Sequence, residues 1–406
     1  MKFDIFFSMS QTEVNGTFPT EQTIYKHFFD QVKHADKLGF GTAWLAESHL
    51  SSEVQKENPN PVIPHFKGEV GISVDFLQVA SRVFQQTEHI NVGSAIMNIL
   101  CNGGPIAAAE KVRAFLALHQ LDPNETRKLE VGFASGRFPY HNKPFGIFPR
   151  TDVEKAAWWP VMTNKIFREA CEIFLRLIKG EKLSSEDIEK TTLSRNDFRS
   201  DDEWENVLRI YGKQVNEIPI ENRYMFDKLQ IVPREVNLEK HLQLTIGSHS
   251  PEVQAFANTL YPCGVFNLSI TSNAVVESTN ERMKNDYMGK WSRDKMPRTV
   301  LVFVSDDASL SKDENIRKAK ENAHRTLSEY WNALEGTLDP KKVENAENNA
   351  LIGDPETIIH QMKERFHPDD RLMLWFDFHN HNNQNVKENM SIFMEKIAPK
   401  FQGKNV

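Results

Sequence analysis

"GFGTAWLAESHLSS", residues 39–52, holds a helix stop, a strand and a polar lip in fourteen positions. Gly39 ends a helical pattern, because residues 21–38 set Ile24, Phe28, Val32 and Ala35 on one face. "TAWLA" (42–46) is a short unbroken apolar run, the signature of a strand buried on both sides of a parallel sheet. The run stops at Glu47-Ser48-His49, an acid, a hydroxyl and an imidazole in succession. In parallel α/β folds, polar residues at the carboxyl ends of strands are where sites are built.

The same unit recurs along the chain. "KFDIFF" (2–7) precedes the helix at 21–38, and "INVGSA" (90–95) follows a helical pattern at 73–84. Pro105 starts a helix to about Leu118, and "KLEVGFA" (128–134) reads as the next strand. Ile166, Ala170, Ile173 and Leu177 stripe a further helix that Gly180 closes. Strand-like "LQLTIG" (242–247), "GVFNLS" (264–269), "RTVLVFVS" (298–305) and "RLMLWFDF" (371–378) are each followed by helical patterns, one of them running from 312 to 335. About eight such units predict a closed (β/α)8 TIM barrel of class α/β, with inserted loops at the strand C-terminal face. Residues 1–406 read as a single domain. The charged stretch at about 181–240 is an insertion expected to help cover the site, and residues 335–352 read as a polar link to the last unit.

Composition narrows the function. The chain has 406 residues, 39% hydrophobic and 26% charged, and a net charge of −7. An acidic chain of this kind points away from nucleic acid and anionic membrane surfaces. No run reaches the roughly 18 apolar residues of a membrane helix. Cys101, Cys171 and Cys263 are widely spaced, so the expectation is a reduced, cytoplasmic protein without a structural zinc site. No GxGxxG follows the first strand and no GxxxxGK[ST] occurs, which disfavours Rossmann and P-loop enzymes.

The candidate chemistry lies at strand ends. "FASGRF" (133–138) places Ser135, Gly136 and Arg137 after the fourth strand, and "GSHSPE" (247–252) places Ser248, His249 and Ser250 before a proline-started helix. A helix N-terminus with hydroxyls and an arginine opposite could hold a phosphate. Serine before proline is equally an ordinary N-cap. Asp377, His379 and His381 could ligate a metal, or could simply form a polar loop.

These motifs together resemble the bacterial luciferase-like flavin monooxygenases. "GFGTAWLAESHL" is similar to the second-strand motif, "INVGSAIMNIL" with "GGPIAAAEKVRAFLAL" to the third strand and helix, and "LEVGFASGRF" to the fourth strand. "GSHSPEVQAFA" resembles the turn that binds flavin phosphate, and "LIGDPETIIHQM" and "FMEKIAPKF" resemble the closing helices. The resemblance implies FMN, reduced by a separate flavin reductase, that adds O2 as a C4a-peroxyflavin and oxidises a small organic substrate. It implies Ser94 and Ala95 under the isoalloxazine, with Ala95–Ile96 where relatives can carry a cis bond. Ser135, Gly136, Arg137, Ser248, His249 and Ser250 would serve the cofactor, with no metal. His49 is the implied catalytic residue, while Ser48 stands where the family has the first histidine of a pair. A homodimer is also implied. The alternatives are a deazaflavin-dependent dehydrogenase on the same barrel, a non-catalytic flavin-binding protein, and a metal-dependent hydrolase using residues 377–381.

Overall fold

The computed structural model describes residues 1–336 and 339–402; residues 337–338 and 403–406 lie outside it. Nine parallel strands form the main sheet: β1 (Lys2–Phe7), β2 (Thr42–Leu45), β3 (Asn91–Asn98), β4 (Leu129–Ala134), β5 (Leu242–Ile246), β6 (Cys263–Val265), β7 (Arg298–Val304), β8 (Leu351–Gly353) and β9 (Arg371–Trp375). Their order is β6-β5-β4-β3-β2-β1-β9-β7-β8. The sheet closes just past β6. Asn267 bridges Arg298 of β7, its amide donating to Pro297 and its carbonyl accepting from Thr299. Eight strands therefore make a barrel, as the apolar runs predict, and β8 hangs from the upper end of β7.

The helices of the outer ring are α1 (Glu21–Leu38), α2 (Phe76–Gln86), α3 (Gly104–His119), α4 (Thr163–Ile178), α5 (Pro251–Leu260) and α6 (Asn273–Asp286). Local rules fix α1 at both ends. Thr20 caps it by accepting the Thr23 amide, and Gly39 ends it at φ 82°, a left-handed turn that glycine adopts without steric cost. Asp36 on α1 then accepts the amides of Glu88, His89 and Ile90, at 2.8 Å each, and so fixes the entry to β3.

The second half departs from the expected order. The long helix α7 (Lys312–Glu335) is not the seventh barrel helix. It and α8 (Pro340–Asn349) form an antiparallel pair inserted between β7 and β8, and α9 (Pro355–Arg365) takes the ring position beside α10 (Asn383–Ile392). The stretch 335–352, expected as a loop, thus contributes a helix and a strand. At its N-terminal end α7 is tied to the top of β7, where Ser305 and Asn315 share a hydrogen bond of 2.8 Å. At its C-terminal end, Leu334 packs with Ile63, Phe66 and Phe138, which lie on the loops after β2 and β4. Those loops are across the barrel from β7, so α7 spans the C-terminal mouth. Its buried stripe of Ala319, Ala323 and Leu327 sits on Leu301 and Phe303 of β7 and Ile352 of β8.

The insertion at 181–240 holds a hairpin, Thr192–Ser194 with Glu217–Pro219, and a helix, Asp201–Tyr211. It is anchored to the helical ring. Arg113 of α3 donates to the carbonyls of Pro233, Arg234 and Ile178, and Glu169 of α4 accepts the amides of Arg223 and Tyr224. Arg223 of the insertion also reaches the segment after β4, donating to Glu154 (2.9 Å) and to the Phe148 carbonyl (3.2 Å), while α7 lies across the mouth.

The bottom of the barrel is ionic. Arg371 of β9 donates to Asp4 of β1 (2.6 Å), to both oxygens of Glu130 on β4 (2.6 and 2.8 Å) and to Thr42 of β2 (2.7 Å), while Trp44 donates to Asp4 (2.7 Å). All five groups are buried. Burial pushes Asp4 up to about 6 despite Arg371, whereas for Glu130 the same burial is outweighed by the guanidinium, which holds it below the usual range. Buried ion pairs add little net stability, but removing one partner strands the rest.

Candidate active site at the barrel mouth

The lip after β2 is a fixed cluster. Glu47 Oε1 accepts the Asn98 amide from β3 at 3.0 Å and the His49 Nε2–H at 2.9 Å. Glu47 thereby ties two neighbouring strand ends together and orients the imidazole, the carboxylate–histidine arrangement that fixes a ring tautomer. The His49 ring meets His141 edge to face, with centroids 6.0 Å apart. His141 follows β4, and its ring also packs on Tyr140 and Phe138. Burial, with His49 beside it, pulls His141 down to about 4. It is therefore neutral at physiological pH, and its Nε2 has no protein partner.

A second chain of hydrogen bonds joins β3 to β4. Asn98 Nδ2 donates to Asn142 Oδ1 (2.7 Å), and Asn142 Nδ2 donates to the Ser135 carbonyl (2.8 Å). Gly136 sits at φ 76°, and a Cβ there would run into the Asn98 carboxamide. Ser94 is fully buried and donates its hydroxyl to the Gly132 carbonyl (2.7 Å), just where the β3–β4 register shifts. Its side chain holds the ladder together. Ala95 lies inside the barrel with Ile96, Phe6, Trp44 and Trp375, and the Ala95–Ile96 peptide is cis.

The other expected residues divide. Ser250 accepts the Val253 amide as the N-cap of α5, and its own amide donates to Ser248 Oγ (3.2 Å). The turn is an N-cap in this structure, with the Ser248 and Ser250 hydroxyl protons left to donate. His249 sits between them. Arg137 is exposed, lies over the Phe138 ring and points at the Tyr330 hydroxyl of α7, 3.5 Å away.

The far wall belongs to β9. Asp377 Oδ2 accepts the amide and hydroxyl of Ser8 (3.1 and 3.2 Å), and burial pushes its carboxyl up to about 6. The Trp375 indole lies beside the Asp377 carboxyl and helps hold its charged form, and Thr245 Oγ1 is buried without a protein partner. His381 Nε2 is engaged by the Thr12 carbonyl (2.8 Å). Among the described residues, no group of three His, Cys, Asp or Glu side chains is placed to hold a metal ion. His141, Tyr140, Asn142 and Tyr330 were not singled out from the sequence. The 138–150 loop has no period to read, and α7 was assigned elsewhere.

Comparisons place this geometry. The model for the luciferase-like monooxygenases matches residues 1–186, which contain β1 to β4, the Glu47–His49–His141 cluster and the Asn98–Asn142 chain. Among solved structures, monooxygenase RslO1 from Streptomyces bottropensis superimposes with a TM-score of 0.65 at 17% identity, covering 99% of this chain and 100% of that one. The oxygenating constituent of 3,6-diketocamphane monooxygenase from Pseudomonas putida, solved with FMN, gives 0.59 at 10% identity and 98% coverage of both chains. An F420-dependent secondary alcohol dehydrogenase gives 0.51 at 15% identity, again over 98% of each chain. A search of curated proteins found no match. The likeness to the luciferase-like monooxygenases thus covers the first 186 of 406 residues in sequence, and the solved structures share this chain's barrel across its whole length.

Proposed function

We propose that this protein is an FMN-dependent monooxygenase that uses reduced flavin and O2 to oxidise a small organic substrate. The observation that carries the reading is the family match over residues 1–186, the segment that builds the Glu47–His49–His141 lip. The residues present fit a flavin. Thr245 Oγ1 and His141 Nε2 are buried polar atoms without protein partners, and Ala95, Ile96, Phe6 and Trp44 form an apolar cluster, the mixture a polar heteroaromatic ring needs. Reduced FMN, when bound, supplies the electrons that activate oxygen.

The chain's own residues do the rest. Glu47 holds the His49 ring in one orientation, so its Nδ1 is available to take or return a proton. His141 stays neutral and keeps charge out of the mouth. The Ser248 and Ser250 hydroxyls, the amide of His249 and the exposed Arg137 side chain are the donors we assign to the flavin phosphate, with Ser135 and Gly136 letting the ring approach β4. Ala95 forms the apolar bed beneath the ring, and Ser94 holds that bed in place. The α7 cover keeps bulk water out. A separate flavin reductase would deliver the cofactor, and the protein would act in the cytoplasm as a homodimer.

The test is mass spectrometry of the co-purifying cofactor, titration with FMN and reduced FMN, and oxygen uptake with candidate substrates. Tight reduced-FMN binding with substrate-dependent oxygen uptake supports the reading. A second reading, a deazaflavin-dependent dehydrogenase, is favoured by the shared fold of the F420-dependent alcohol dehydrogenase. Recovery of a deazaflavin with turnover that needs no oxygen would select it.

A further inference from the structure

Beside the mouth, a cleft of about 370 Å³ opens between the tops of β7 and β9, the middle of α7 and the start of α10. That volume lies within the ordinary range of small-molecule sites, about 300–1,000 Å³. Its floor is aromatic, with Phe303, Phe376 and Phe378. Its walls are carboxamides and imidazoles. Neither the flavin assignment above nor any residue of the Glu47–His49 lip uses it.

The walls carry unfilled hydrogen-bonding capacity. Asn322 Oδ1 accepts from Arg325 (2.8 Å), which leaves its amide protons. The buried Asn389 turns its Nδ2 toward Asn385, at 3.5 Å, which leaves its Oδ1 as an acceptor. His379 closes the wall behind them, its Nδ1 buried. Donors and acceptors are mixed here, which is what vicinal hydroxyls require, since each hydroxyl both gives and takes a hydrogen bond.

Charge favours a neutral ligand over a cation or a strongly charged anion. No Asp or Glu lines the cleft among the described residues, and Arg325, its one formal cation, already donates to Asn322 and Glu329. An ammonium would find no anion, and a phosphate would meet a single guanidinium with part of its donors engaged. The histidines are neutral as well. Burial, with His381 nearby, pulls His379 down to about 4, and burial also lowers His381.

We propose that this cleft is a binding site for a small, uncharged, polyhydroxylated molecule of the sugar class. Its C–H face rests on Phe378, and its hydroxyls reach Asn322 and Asn389. Cofactor-free protein is sufficient for the site, so its test stands apart from the flavin reading.

The experiment is saturation-transfer-difference NMR followed by calorimetric titration, with D-glucose and maltose as neutral probes and D-gluconate as the anionic control. The expected result is one-site binding of a neutral probe, with gluconate weaker. Asn322→Leu should weaken it by about tenfold, the loss of one or two hydrogen bonds, and Thr326→Trp, which fills the cleft, should abolish it. Asn322 is only partly buried, so the first variant keeps the test valid if the bulky one does not fold; circular dichroism reports folding of both. No transfer to either sugar, tighter binding of gluconate, or unchanged affinity in folded Asn322→Leu would each overturn the proposal.

Discussion

His141 should make this protein acid-labile in a way that one substitution removes. Its ring is 4% exposed, sits against His49, Tyr140 and Phe138, and is held down to about 4 from an ordinary 6.5. The direction of the effect follows from proton counting. Between those two values the unfolded chain binds a proton that the folded chain refuses, so stability falls as pH falls through that window and is unaffected above it. The gap of about 2.5 pH units, at about 1.36 kcal/mol each, gives a full loss of about 3 kcal/mol, and about 2 kcal/mol of it should appear between about pH 7 and pH 4.5. The assay is urea unfolding at those two pH values, for the native protein and for His141→Phe. Phenylalanine keeps a buried ring and removes the titration. Every other group, including the similarly depressed His379, is common to both proteins and cancels. The native protein should therefore lose about 2 kcal/mol more than the variant on acidification. Parallel losses, within about 0.5 kcal/mol, would mean that the His141 ring is reached by water or proton in the folded state, and the dry lip inferred here would be wrong.

Other consequences are equally direct. His49→Ala should cut turnover with reduced FMN by roughly 10²–10⁴-fold while leaving FMN affinity nearly intact; a drop of less than about threefold would make the ring a strand cap only. Arg371→Met leaves Asp4 and Glu130 buried without their cation and should cost about 3–5 kcal/mol in urea unfolding at neutral pH. A loss under about 1 kcal/mol would show that the barrel floor tolerates unpaired carboxylates. Arg137→Ala and Ser250→Ala should each weaken FMN binding by about 1.5–3 kcal/mol in fluorescence titration. Unchanged affinity in both would move the phosphate away from the β4 and β5 ends.

What the sequence determined by itself is the barrel and its polar lip. Period and punctuation are local properties, so Thr20, Gly39 and the stripe Ile24-Phe28-Val32-Ala35 are enough to define α1. Doubly buried runs such as "TAWL" and "LEVGFA" are enough to require a parallel sheet with helices on its outer face. Glu47 was legible as the first polar residue after an apolar strand, and as a buried acid at a strand end it finds a donor in the Asn98 amide. The tertiary structure decided what a pattern leaves open, namely which surface each buried face meets. The stripe on α7 says that one side of the helix is covered. It does not say that Leu301, Phe303 and Ile352 cover it, which turns a presumed ring helix into the roof of the mouth. β8 is three residues long, too short to carry a period. His141 and Asn142 lie in an aperiodic loop, and only folding brings them to His49 and Asn98, 92 and 44 positions away in the chain. Arg137 shows the same division. Its charge was readable, but its direction, toward Tyr330, depends on a helix nearly two hundred residues further on. Hydrogen bonds and packing between distant segments carry no local signature, so the scaffold could be read in advance and the inner surface of the site could not.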